Sequence, residues 1–213
     1  MIRNILFTLI CGLLSSSTLA VAAPVLEDLF SAVRANDVGE VKSLLDQGMD
    51  PSSTDRQGYS LLMYAAGEGQ IEIVRLLLDR KAKVNQYDAI AESAVMLAAY
   101  RGHLETVKLL HARGADLNKG GWTALHYAAF QGHIDICRYL VQSRAAIDAP
   151  APNGATPLML AARNGHYAVV KLLIEAKANP ALQTDAGATA LQWALKYGHG
   201  EIAELLRQAG GRE

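Results

Sequence analysis

One apolar pattern recurs five times along the chain. The copies are Gly58 to Ala66 (GYSLLMYAA), Ala91 to Ala99 (AESAVMLAA), Gly121 to Ala129 (GWTALHYAA), Gly154 to Ala162 (GATPLMLAA) and Gly187 to Leu195 (GATALQWAL). Their starts lie 33, 30, 33 and 33 residues apart. A Gly-His-like pair follows each one: Gly69-Gln70, Gly102-His103, Gly132-His133, Gly165-His166 and Gly198-His199. Apolar residues at helical core spacing come next, as in Val74, Leu77 and Leu78 or Val170, Leu172 and Leu173. A degenerate sixth copy leads the series, with Leu29, Phe30 and Val33 followed by Val41, Leu44 and Leu45. The pattern predicts two short helices per repeat, joined by a glycine turn.

Each recurring residue has a physical role. Ser60, Ser93, Thr123, Thr156 and Thr189 stand where a hydroxyl can N-cap the first helix. Pro157 fits a first helical turn, where no amide donor is needed. The Ala-Ala pairs keep that helix thin, so that neighbouring repeats can approach closely. Gly48 and Gly114 close the second helix before the chain turns to the next repeat.

At these residues the chain resembles the ankyrin-repeat family, through its thirty-three-residue period, Thr-Pro-Leu-His-like tetrad, Ala-Ala pair and Gly-His pair. The resemblance covers about Val25 to Gly211 and departs from the family pattern in places. Only Thr156-Pro-Leu keeps its tripeptide intact, and only Thr123-Ala-Leu-His126 keeps the tetrad histidine. The fold implied is an all-α ankyrin-repeat solenoid of about six helix–turn–helix repeats with short β-hairpin fingers. The repeats fall at approximately 25–57, 58–90, 91–120, 121–153, 154–186 and 187–213. The junction from Asn118 to Gly121 is three residues short, which predicts a truncated finger between the third and fourth repeats. Because each repeat buries its apolar faces only against its neighbours, residues 23–213 form one solenoid domain. The end repeats should turn polar faces outward through Glu27, Asp28, Arg34, Asn36 and Asp37, and through Glu201, Glu204, Arg207 and Gln208.

Residues 1–22 lie outside this pattern and read as a secretory signal peptide. Arg3 gives a positive start, Ile5 to Leu14 is an apolar run, and Ala20-Val21-Ala22 supplies small residues for a cut after Ala22. An uncleaved anchor is disfavoured because ten apolar residues span only about 15 Å as a helix, roughly half of a hydrocarbon core. A lipoprotein is disfavoured because Ile10 precedes Cys11 where a small residue is needed. The mature chain is therefore expected in the periplasm or secreted, without stable membrane insertion. It would keep one cysteine, Cys137, and no internal disulfide.

Composition narrows the function classes further. With 51% hydrophobic and 19% charged residues the chain can form a core. A net charge of −1 gives no basic stripe for nucleic acid. His103, His133, His166 and His199 recur with the repeat and, by the family resemblance, hydrogen-bond to brace the turns. His126 is the tetrad histidine, and His111 stands alone on a second helix. His133 and Cys137 have a ligand-like spacing of four, but Cys137 fills the slot held by Val74, Val107 and Val170. Paired Cys motifs, a Gly-x-Ser-x-Gly elbow, a phosphate loop and His-Glu-x-x-His do not occur in the sequence. Enzymatic activity, a metal and a cofactor are not expected.

In proteins that this chain resembles, partners lie across the concave face made by finger tips and first helices. Carried over by position, the contact residues at the fingers are Arg56, Gln57, Tyr59, Tyr87, Ile90, Glu92, Trp122, Asn153 and Asp185. At the ends of the first helices they are Glu68, Tyr100, Arg101, Phe130, Gln131, Arg163, Asn164, Lys196 and Tyr197. Six of the thirteen aromatic residues fall on this face, and aromatics dominate interface energy. The expected function is a monomeric, non-enzymatic scaffold that inhibits, masks or protects another protein, as an immunity or regulator type. One alternative is an accessory role beside a periplasmic catalase in oxidant defence, with which some exported bacterial ankyrin proteins are associated. Another is cell-wall glycan binding, with Trp122 and Tyr100 as stacking platforms.

Overall fold

A computed structural model describes residues 17–212. The signal expected over residues 1–22 lies mostly outside the described residues. Twelve helices follow one another in pairs among the described residues. The first helices of the repeats are α1 (Ser17–Arg34), α3 (Leu61–Gly67), α5 (Ala94–Arg101), α7 (Ala124–Gln131), α9 (Pro157–Arg163) and α11 (Ala190–Lys196). The second helices are α2 (Val38–Asp46), α4 (Ile71–Asp79), α6 (Leu104–Ala112), α8 (Ile134–Gln142), α10 (Tyr167–Glu175) and α12 (Gly200–Gln208). Each odd helix packs on the next odd helix, and the even helices form a second row behind them. Among the described residues, no helix is long and apolar enough to cross a membrane.

The small residues let the inner row close up. Ala65, Ala66, Ala98, Ala99, Ala128, Ala129, Ala161 and Ala162 are all fully buried. Cys137 is fully buried beside Val74, Val107 and Val170 in the same core. Hydroxyls cap four inner helices: Ser60, Thr123, Thr156 and Thr189 each accept from the backbone N–H three residues on. The residue at that third position answers in kind. Met63 Sδ, His126 Nδ1, Met159 Sδ and Gln192 Oε1 accept the cap's own N–H. Ser93 departs from expectation, for its buried hydroxyl has no partner among the described residues. Its repeat also places Ala91, with φ of +66°, where the others have glycine.

The four recurring histidines brace the array. Nε2 of His103, His133, His166 and His199 donates to the carbonyl oxygens of Gly67, Tyr100, Phe130 and Arg163, at 3.1, 3.0, 2.9 and 3.0 Å. Each bond reaches back to the end of the preceding inner helix. A second ladder links the turns: Ser52, Asn85, Asn118 and Asp148 accept backbone N–H groups of Lys83, Asp116, Ala146 and Asn179. These four also keep the repeat period, shortened only between Asn118 and Asp148.

The fingers are tighter than the β-hairpins expected. A single bridge, Thr54 to Ser60, is the only β pairing among the described residues. Instead a tight turn, closed by a bond such as Gly58 N to Asp55 O, carries one cross-finger backbone bond in each, from Asp55 N to Tyr59 O, Asp88 N to Glu92 O, Ala151 N to Ala155 O and Thr184 N to Ala188 O. Side chains supply further acceptors: Asp55 Oδ1 accepts from the N–H groups of Gln57 and Tyr59, Asp88 Oδ1 from Ile90 and Glu92, Asn153 Oδ1 from Ala155, and Thr184 Oγ1 from Ala188. The shortened finger at Lys119 to Gly121 lacks a closing bond of this kind. At the ends, Glu27, Asp28, Arg34, Asn36 and Asp37, and Glu201, Glu204, Arg207 and Gln208, are exposed as expected.

Candidate binding site

Three positions per repeat face the concave side at the front of the array. The first follows the finger's turn residue: Tyr59, Glu92, Trp122, Ala155 and Ala188. The second lies on the inner helix: Tyr64, Leu97, Tyr127, Leu160 and Trp193. The third, one helical step further, is Gly67, Tyr100, Phe130, Arg163 and Lys196. In repeats two to four these positions hold six aromatics that pack against one another, edge to face except for the tilted pair Trp122 and Tyr127. Centroid distances are 4.6 Å for Tyr59 and Tyr64, 5.7 Å for Tyr100 and Tyr127, 5.1 Å for Trp122 and Tyr127, and 6.2 Å for Trp122 and Phe130.

These rings surround an open hollow of about 770 Å³. Its lining comprises Tyr59, Tyr64, Gly67, Leu97, Tyr100, Trp122, Tyr127 and Phe130, together with Asp55, Gln57, Glu68, Glu92 and Arg101. Gly67 is the reason for the hollow. Its sister positions carry Tyr100, Phe130, Arg163 and Lys196, and here the side chain is absent. The same row is held from behind, because His103 and His133 grip the carbonyls of Gly67 and Tyr100. The repeat ladder thus fixes the backbone of the site.

Acidic groups set the polarity of the hollow. Tyr127 Oη donates to Glu92 Oε1 at 2.5 Å, and Tyr64 Oη donates to Asp55 Oδ2 at 3.0 Å. Burial first, and then the charge of Glu92, pushes the Tyr59 hydroxyl up to about 12. Burial and the hydrogen bond to Glu92 raise that of Tyr127 too. Glu68 and Arg101 are exposed at the rim, and neither forms an ion pair among the described residues. Three carboxylates therefore face one guanidinium around the hollow.

Of the residues expected on this face, Tyr59, Glu68, Glu92, Tyr100, Arg101, Trp122 and Phe130 meet in the hollow, with Gln57 at its edge. The others lie elsewhere. Arg56 borders a separate hollow with Phe30 and Arg34. Tyr87 turns to Lys119, whose ammonium stands 4.4 Å from its ring centroid. Ile90 projects from its finger, 75% exposed. Asn153 and Asp185 share a backbone bond between fingers. Gln131 is exposed. The Asn164 amide is committed to Phe130 O at 2.7 Å. Arg163, Lys196 and Tyr197 gather at the far end, with Arg163 over the rings of Trp193 and Tyr197.

Sequence reasoning missed Tyr64, Tyr127, Trp193 and Gly67. All four stand within or beside the repeated Ala-Ala segment and so pass for core. The usable signal was helical spacing, since Tyr64 and Tyr127 lie three residues before Gly67 and Phe130.

The histidines offer little chemistry besides. Four of them spend Nε2 on carbonyls, and His126 is fully buried with Nε2 on Ala155 O. His111 Nδ1 pairs with Tyr139 Oη at 2.8 Å. Comparison with known proteins finds no match among curated sequences. A family model described as ankyrin repeats (3 copies) matches residues 27–88, 85–151 and 143–212. Repeats of this kind generally mediate binding between proteins and are typically non-enzymatic. With paired helices, a histidine ladder and a match along almost its whole described length, the chain belongs to the ankyrin-repeat family.

Proposed function

We propose that the chain is an exported scaffold that holds a protein partner across its concave face in the periplasm, and so inhibits, masks or protects it. The observation that carries this reading is the hollow in repeats two to four. Half-buried aromatic rings line it, and no side chain among the described residues fills it. Aromatic side chains that leave apolar area at an open surface gain by covering it with another molecule. Expected export adds the compartment, through the apolar run from Ile5 to Leu14.

Affinity capture from a periplasmic extract tests the binding reading. Wild type should retain a specific protein, and the folded triple variant Tyr100→Ala, Trp122→Ala, Phe130→Ala should lose at least about tenfold in capture. Equal capture by both would defeat it. Export is tested separately by fusing residues 1–30 to a phosphatase that is active only outside the cytoplasm. An inactive fusion removes the periplasmic assignment.

A further inference from the structure

We propose that the hollow at Gly67 receives a lysine or arginine side chain of the partner, seated among Tyr59, Tyr100 and Trp122 and neutralised by Glu92 and Glu68. The inference rests on the scaffold reading and specifies the chemistry of its ligand.

Space comes first. Removal of a side chain at one register position leaves a hollow wide enough for a long side chain, within about 770 Å³. A Cβ at Gly67 would meet Leu97 Cβ at 3.8 Å and Tyr59 Oη at 3.9 Å, ordinary contact distances. The walls come next. Tyr59, Tyr64, Tyr100, Trp122, Tyr127 and Phe130 offer ring surface, which suits the methylene stem of lysine or arginine and attracts its cationic head.

Charge selects the occupant. Asp55 is already used by two backbone N–H groups and by Tyr64. Glu92 gives one oxygen to Tyr127, and its Oε2 has no hydrogen-bond partner among the described residues. Glu68 forms no ion pair among the described residues. The same carboxylate that resists a phenolate at Tyr59 attracts a cation. Arg101 opposes this from the exposed rim, where solvent screens it. An acidic or neutral apolar side chain would leave Glu92 desolvated without compensation.

The test titrates the protein with four capped pentapeptides, Gly-Gly-X-Gly-Gly, where X is lysine, arginine, norleucine or glutamate. The readout is the indole N–H resonance of Trp122, in a Trp193→Phe background. Lysine or arginine should shift it saturably, with norleucine at least about tenfold weaker and glutamate without effect. Equal shifts from norleucine, or none from either cation, would overturn the proposal. Gly67→Leu fills the hollow without removing a ring or a charge, and replaces a helical glycine by a better helix former. It should abolish the shift, as should Glu92→Gln, while the folded spectrum persists. Retention of the shift in Gly67→Leu overturns the proposal. If wild type captures a partner from extract and Gly67→Leu captures it equally, this inference fails and the scaffold reading stands. If wild type captures nothing, the scaffold reading itself fails, and the peptide titration still decides the cation site.

Discussion

The imidazole of His103 lies directly against Gly69: a Cβ there would stand 2.6 Å from His103 Nδ1. Gly69 has φ of +66°, and the same imidazole donates to Gly67 O at 3.1 Å. The pairing recurs as Gly102 with His133, Gly132 with His166 and Gly165 with His199. Each glycine therefore serves two demands, a left-handed turn and the seat of the next repeat's ring.

Gly69→Ala meets both penalties. The left-handed conformation alone costs about 1–2 kcal/mol, and the displaced ring weakens the Gly67 bond as well. A loss of about 2–3 kcal/mol is expected. Thermal unfolding followed by circular dichroism should show Tm lower by roughly 5–10 °C. Gly114→Ala is the control, with φ of +89° and no atom near its Cβ; it should lose less.

His126 should make stability depend on pH. Burial pushes its pKa down to about 4, against bonds to Ala155 and Ala149 that act the other way. The unfolded chain binds the proton near pH 6.5, while the folded chain resists until about pH 4. Stability is thus full above pH 6.5 and falls as pH drops between these values, because the unfolded state then holds more protons. From pH 7 to 4.5 the contribution lost is about 2 kcal/mol. His126→Gln keeps an acceptor for Thr123 N, as Gln192 does for Thr189 N. Urea unfolding at both pH values should show a smaller pH-dependent loss in the variant by that amount.

Ser93 and Thr156 occupy equivalent caps with opposite consequences. Thr156 Oγ1 accepts from Met159 N, whereas Ser93 Oγ is buried without a partner among the described residues. Thr156→Ala should cost about 1 kcal/mol. Ser93→Ala removes a desolvated hydroxyl and should be neutral or stabilising by up to about 1 kcal/mol. Chemical denaturation of the two variants compares them directly. An equal loss in both would contradict the assignment.

Cys137 behaves as a core residue. It is fully buried, and burial pushes its thiol up to about 12, so thiolate is negligible at neutral pH. With Cys11 replaced by Ser, a thiol reagent should label the chain only once urea unfolds it. Cys137→Val, the residue of its sister slots, should change stability by less than about 1.5 kcal/mol. Rapid labelling of the folded protein would show the thiol to be accessible.

Taken alone, the sequence determined the period and the paired helices and marked the recurring histidines as parts of the repeat; their bracing role was implied by the family resemblance. These are local or periodic, and periodicity lets one physical explanation serve every repeat that carries the residue. The capping hydroxyls and Cys137 were legible for the same reason, although Ser93 shows that a residue in a capping slot need not form the bond. Tertiary structure decided which residues form one site. Contacts across the concave face run between repeats, so they depend on what each neighbour leaves open. Gly67 opens a hollow only because Tyr59, Tyr100 and Trp122 stand around it. Tyr87, expected on the same face as Tyr59 and Trp122, turns instead to Lys119 beside the shortened finger. A missing side chain carries no pattern of its own, and only packed neighbours give it a shape.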